Sequence, residues 1–506
     1  MCRRVLLALL CTLFLCANCL ADSPTIKYAL PSALAPGKVT EMTFVGSDLG
    51  GVTSIWTSFE TKTERVRFED NRSVFKVNVP ATCPIGLGAV RLVGTNGVSS
   101  LHLVMLDGLP SIVESGTNRS IATAQLLRMP VAVDGACDEK AADFFKFPAR
   151  KGERLSFEVV AQRLGSSLDP LVRLLDATGR ELVFCEDTPG AGVDCRFSFK
   201  FPSSGQYVIE LRDTRYDGGR GYRYRMRIGD FPLEPAPLPF LVKPEFQRAD
   251  SMRPQPMEAK PNDVKPQRIS LPAAINGRFA KPKDRDCFEF AANKGDRLVF
   301  RGRTRSLGSP CDLYLRLESA AGKKLAESPM TGADESSLTN TFKEAGVFRL
   351  VVEEAAQLGG PEYFYRLEIS PFQPGFALSV DTERFQATPG GSIEIKVLPE
   401  RHDYDGPIRL TLEGAGDGFE LATNAITSKT NATSVKMTLP ANLEAGQLAN
   451  FRMTGHATID GKDVTAPVST RPAWRMLFPH IPWPPGAMDG WMAVGAVAGK
   501  ATETRK

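Results

Sequence analysis

"GGRGYRYRMRIGDFP" at 218–232 returns in diverged form as "GGPEYFYRLEISPFQ" at 359–373, an offset of 141 residues. Each phrase opens on paired glycines and then alternates apolar or aromatic with polar residues, the period of a half-buried strand. Working outward, Gly205, Gly218, Gly219, Tyr222, Tyr224, Ile228 and Phe231 all recur 141 places later. Asp143, Phe147, Lys151, Gly152, Leu155, Leu164, Gly165, Asp169, Leu174 and Gly179 recur at 143, and "PVAVDG" (130–135) matches "PAAING" (272–277) at 142. So long a run of near-constant offsets marks a duplicated unit, with copy one at 111–232 and copy two at 258–372.

Within copy one, "RLSFEVVAQ" (154–162), "LVRLLD" (171–176), "QYVIELRD" (206–213) and "GYRYRMRIG" (221–229) read as strands. "KGE", "DATG", "FPSSG" and "YDGG" between them are turns, since Gly tolerates positive φ and Asp bonds its own backbone. A short helix is expected only at "IATAQLL" (121–127). The fold class is therefore all-β: tandem antiparallel β-sandwich or jelly-roll domains joined by Pro-rich linkers.

The same residues carry a family resemblance. "ATAQLL…PVAVDG…AADFFKFPARKGERLSFEVVAQRLGSSLDPLVRLLDATGREL…FPSSGQYVIELRD…GGRGYRYRMRIGDFP" resembles the bacterial pre-peptidase C-terminal domain, and copy two is similar to a diverged member. The resemblance implies an all-β accessory module of secreted bacterial proteins. Such modules flank peptidases or stud surface proteins, and related collagen-binding modules of secreted collagenases bind calcium. Residues 22–110, with "LAPGKVTEMTFVGSDLGG" and alternating Val74, Val77 and Val79, are similar to immunoglobulin-like modules of the plexin and transcription-factor type. Residues 373–470 predict a further sandwich, 233–257 an extended Pro-rich spacer, and 471–506 a Pro/Trp-rich tail holding Trp474, Trp483 and Trp491.

At the N-terminus, Arg3-Arg4, an apolar run and Cys19-Leu20-Ala21 read as a secretory signal over 1–21, so the chain is expected to be exported: periplasmic, cell-surface or extracellular. After its removal no segment reads as a membrane span. Losing Arg3 and Arg4 takes the net charge from +4 to +2, a balance that argues against nucleic acid as a partner.

The search for chemistry finds four histidines, no G-x-S-x-G elbow, no H-E-x-x-H helix, no Walker loop and no G-x-G-x-x-G fingerprint. No enzyme is expected. The candidate metal site is a calcium site in copy one, built from Asp169, Asp176, Glu186, Asp187, Asp194 and Asp213, because calcium takes six to eight hard oxygens at about 2.3–2.6 Å. The competing reading is that surface turns are simply rich in Asp. In copy two Asp176 aligns with Ser319 and Glu186-Asp187 with Pro329-Met330, which confines the site to copy one.

Tyr216, Arg220, Tyr222, Arg223, Tyr224 and Arg225 form a candidate ligand face, weighed against the alternative that they are core and rim of one strand. Six cysteines survive signal removal, and the expected pairs are Cys287–Cys311, Cys185–Cys195 and Cys83–Cys137. The first pair rests on the repeat, since those cysteines replace Phe144 and Leu168 of copy one. The rival is that all six are small buried hydrophobes. Together these readings point to an exported binding or surface-structural protein whose partners are polysaccharide or protein. The alternative is an accessory subunit of a secreted peptidase, or a hydrolase with a carboxylate pair that leaves no local signature.

Overall fold

The computed structural model of the chain describes residues 22–233, 238–243, 257–260, 262, 265–330, 332, 334–481 and 483–499; the secretory signal expected over 1–21 and most of the spacer expected over 233–257 lie outside them. The regular secondary structure of the described residues is almost wholly strand, arranged in mainly antiparallel sheets that pack over apolar cores.

In copy one, one sheet runs Ser111–Val113, Val131–Ala136, Arg223–Gly229, Arg154–Val160, Arg196–Lys200. The other runs Gln125–Leu126, Asp143–Ala149, Gly205–Asp213, Pro170–Asp176, Glu181–Cys185. Copy two repeats this order from Gln267–Arg268 to Lys324–Glu327 and from Ala273–Arg278 to Ser337–Thr341. The helix expected at 121–127 does not form. Ser120 and Thr123 exchange side-chain and backbone hydrogen bonds that close a turn, and Gln125–Leu126 then joins the sheet as a short strand beside Phe145 and Lys146.

The residues that recur between copies do the same work in both. A β-carbon on Gly135 would lie 2.4 Å from the ring of Tyr224, and one on Gly277 would lie 2.2 Å from that of Tyr365. Each glycine therefore makes room for a buried tyrosine across the strand pair. The tyrosine hydroxyl then donates to the carboxylate of the partner sheet, Tyr224 to Asp143 and Tyr365 to Asp286, at 2.7 Å in both.

Two boundaries differ from the expectation. Part of the spacer is docked rather than free: Leu87 N–H donates to Pro239 at 2.8 Å and Leu241 N–H to Leu87 at 2.7 Å, so Phe240 lies alongside the N-terminal sheet. The expected tail also belongs to the fold. Arg471–Leu477 is a helix with Pro at its start and Trp474 buried. Met492–Ala496 re-enters the last sandwich between Arg384–Ala387 and Leu448–Ile459, every residue buried. No helix among the described residues is long and apolar enough to cross a membrane.

Candidate functional site

Strand Arg223–Gly229 organises the site. Tyr224, Met226 and Ile228 enter the core of copy one, so Arg223, Arg225 and Arg227 must face the other way. The N-terminal sandwich covers that face. Arg225, fully buried, donates from Nη2 to Asp107 at 2.8 Å and from Nη1 to Asp134 at 3.0 Å. Arg227 donates from Nε to Asp107 at 3.2 Å and also pairs with Glu158. Glu158 in turn accepts from Arg163 at 3.0 Å, and Arg163 Nε donates to Asp194 at 2.7 Å. One chain of alternating charges thus runs from Asp134 to Asp194. Each inner ion of the chain has an opposite charge on both sides, which is what makes burial of charge tolerable.

This network corrects two expectations. Tyr224 and Arg225 are structural, closed to any ligand. Asp194 is no calcium ligand: besides Arg163 it accepts the N–H groups of Ala161 and Gln162 at 3.0 and 2.8 Å, closing the turn of the short helix Gln162–Leu164. The other carboxylates do not converge on one point either, although Asp169, Asp187 and Asp213 are neighbours. Asp176 closes its own turn through Thr178 and Arg180, and those hydrogen bonds, Thr178's hydroxyl foremost, hold it down to about 2. Asp213 accepts N–H groups of Asp169, Arg215 and Asp217. Asp187 is raised mainly by burial, then by the nearby charges of Asp169 and Glu186. Among the described residues no group of three or more His, Cys, Asp or Glu side chains is disposed to hold a metal ion.

The cysteine pairs divide likewise. Cys83 packs on the N-terminal core and Cys137 sits inside copy one, two separate cores, and both are free thiols. Phe288 and Phe290 point into copy two, which places Cys287 on the opposite face of its strand from Cys311, a free thiol within the core. Only Cys185 and Cys195 come together. Both are thiols, with Cys195 Sγ 3.2 Å from the Cys185 carbonyl. The hydrogen bond from Cys195 is the main cause that draws Cys185 down to about 7, and the same contact together with burial pushes Cys195 up.

Of the ligand-face residues, Tyr216 lies at φ 61° in an exposed turn with the Arg212 guanidinium 4.1 Å from its ring centre, and Tyr222 packs against the copy-one core. Arg220 and Arg223 remain. They line a cleft of about 360 Å³ at the seam between the N-terminal sandwich and copy one, opposite Lys27, Tyr28 and His102. The Arg223 guanidinium lies 3.9 Å from the Tyr28 ring centre, a cation–π contact. Burial pulls its pKa below the ordinary value. His102 is pushed down to about 4, first by burial and then by Arg223, so its imidazole is neutral at pH 7. Lys27, Tyr28 and His102 escaped the sequence reading because nothing in 27–28 or at 102 marks them. They face Arg223 only because the buried arginines bring the two sandwiches together.

No protein-family model matches the chain. Over 70 residues, 14% of the chain, it is 36% identical to a probable subtilase-type serine protease of Deinococcus radiodurans, and it spans 9% of that relative's length. Among solved structures, the pre-peptidase C-terminal domain of a Bacillus anthracis collagenase aligns with 21% of the chain and 93% of its own length at 11% identity, TM-score 0.18. The SGBP-B protein of the Bacteroides ovatus mixed-linkage glucan utilization locus, solved with a mixed-linkage heptasaccharide, aligns with 69% of the chain and 75% of its own length at 13% identity, TM-score 0.18.

Proposed function

We propose that the chain is an exported, non-catalytic binding protein that receives a polysaccharide or a protein in the cleft between its N-terminal sandwich and copy one. The observation that carries this is the seam itself. Arg225 and Arg227 of copy one both pair with Asp107 of the N-terminal sandwich, whose Ser32 donates to Asp134, and these contacts hold the two walls together so that the cleft exists before any ligand arrives. A preformed site avoids the ordering cost that a mobile one incurs on binding. The lining supports binding rather than turnover. His102 is neutral and, among the described residues, no hydroxyl or thiol is hydrogen-bonded to it as a nucleophile would be to its base. Asp134, the carboxylate in the cleft, is held by Arg225 and by the Ser32 hydroxyl.

Glycan and extracellular-protein arrays probed with the full chain test the proposal. Binding to one class, reduced in Lys27→Ala/Arg220→Ala, is the expected outcome, and blanks on both arrays would leave a purely structural role. A second reading, an accessory unit beside a secreted peptidase, is favoured by the 70-residue likeness to a subtilase-type protease. A partner peptidase whose casein hydrolysis rises when the chain is added would support it.

A further inference from the structure

We infer that the cleft takes a carboxylated sugar, a uronate unit of an acidic polysaccharide, with its carboxylate on Arg223. This rests on the binding reading above and adds the ligand's chemistry. The inference starts from an inequality within one strand. Arg225 and Arg227 are saturated by Asp107, Asp134 and Glu158, whereas Arg223, on the same face and half-buried, has no carboxylate within ion-pair distance among the described residues.

The carboxylates nearest in charge to Arg223 are Asp134 and Glu114, and both are engaged elsewhere. Asp134 is held by Arg225 and Ser32, and Glu114 by Arg119 and the N–H groups of Gly116 and Ala136. A partly desolvated guanidinium without a counter-ion favours an incoming anion, and its planar fork matches a carboxylate. Lys27 and Arg220, both exposed at the rim, add positive charge that would draw the anion in.

The lining favours a sugar acid over a peptide acid. Leu477 and the edge of the largely buried Phe478 give the cleft an apolar part of its border, and Ser100 and Ser167 are among its polar lining residues. A pyranose presents an apolar C–H face edged by hydroxyls, which suits such a mixture. The volume, about 360 Å³, lies at the small end of ligand clefts and suits one or two rings.

The test is titration calorimetry of the full chain with a galacturonate trimer, its fully methyl-esterified form, and a tripeptide with a free C-terminal carboxylate. The acid trimer should bind and the ester should not. Arg223→Ala should weaken the acid by about tenfold or more, as loss of a hydrogen bond to a charged group does. Arg223→Lys, which keeps charge but loses the fork, should recover only part of that. Added salt should weaken binding. If Arg223→Ala does not fold, the exposed double variant Lys27→Ala/Arg220→Ala should still lower affinity several-fold. Equal binding of acid and ester, or variants that all bind like the parent, would overturn the inference. Binding of the peptide but not the trimer would replace the sugar by a peptide. Arrays that reveal some other ligand would refute the uronate while leaving the binding reading intact, whereas blank arrays would remove both.

Discussion

At the scale of residues, the cysteines separate what local sequence can place from what it cannot. Cys185 and Cys195 flank one short turn, so their approach was legible from spacing. Cys287 was misjudged although its strand parity is written in "DCFEF", where Phe288 and Phe290 claim the core and turn Cys287 away from Cys311. Cys185 is half-exposed, hydrogen-bonded by Cys195 and held at about 7, so a large fraction is thiolate near neutral pH, and the thiolate is the nucleophile. Iodoacetamide at pH 8 should therefore modify Cys185 before Cys195, and Cys195→Ala should slow that reaction by removing the donor. Mild oxidation by a small disulfide such as oxidised glutathione should join the two through a mixed disulfide on Cys185. Peptide mapping after timed labelling decides the matter: faster labelling at Cys195 would contradict it.

At the scale of elements, the two versions of the closing strand make a natural comparison. Their alternation was readable, and so were the residues a sandwich needs: Gly135, Asp143 and Tyr224 recur as Gly277, Asp286 and Tyr365. What covers the outer face was not readable, because Asp107 lies 118 residues before Arg225 and no pattern links them. Arg225 aligns with Arg366, which stands partly exposed beside Glu368 at 2.8 Å. Arg225→Ala should cost about 3–5 kcal/mol, since it leaves Asp107 and Asp134 buried with less compensation. Arg366→Ala should cost no more than about 1 kcal/mol, as exposed pairs do. Urea melts of both variants test this, and equal losses would mean that the seam network is not what holds the first strand's outer face.

At the scale of the whole molecule, the N-terminal sandwich is gripped from two sides. Copy one holds it through Asp107. The last sandwich holds it through the buried Arg91–Glu383 pair, 292 residues apart in the chain, through Ser23 donating to Gln386 at 2.7 Å, and through Trp474 and Phe478 packed with Ala89 and Leu103. Copy two meets the last sandwich and its helix through the more exposed pairs Arg297–Asp403 and Arg471–Asp334. The two regions should respond to pH in opposite senses. His102, at the first seam, is pushed from 6.5 down to about 4 by burial and Arg223. Its contribution is complete above pH 6.5 and fades as pH falls toward 4, because the unfolded chain then binds the extra proton. Glu258, in copy two, is pushed from 4.5 up to about 7 by burial and by Asp286 beside it. Its contribution is complete below pH 4.5 and is lost as pH rises through 7, because the folded state must then bury a second charge next to Asp286. Hydrogen exchange read at matched intrinsic rates should therefore show the N-terminal seam opening more readily at pH 5 than at pH 8, and copy two opening more readily at pH 8 than at pH 5. His102→Asn should flatten the first trend alone and Glu258→Gln the second alone; a variant that flattens both would mean the regions open as one unit.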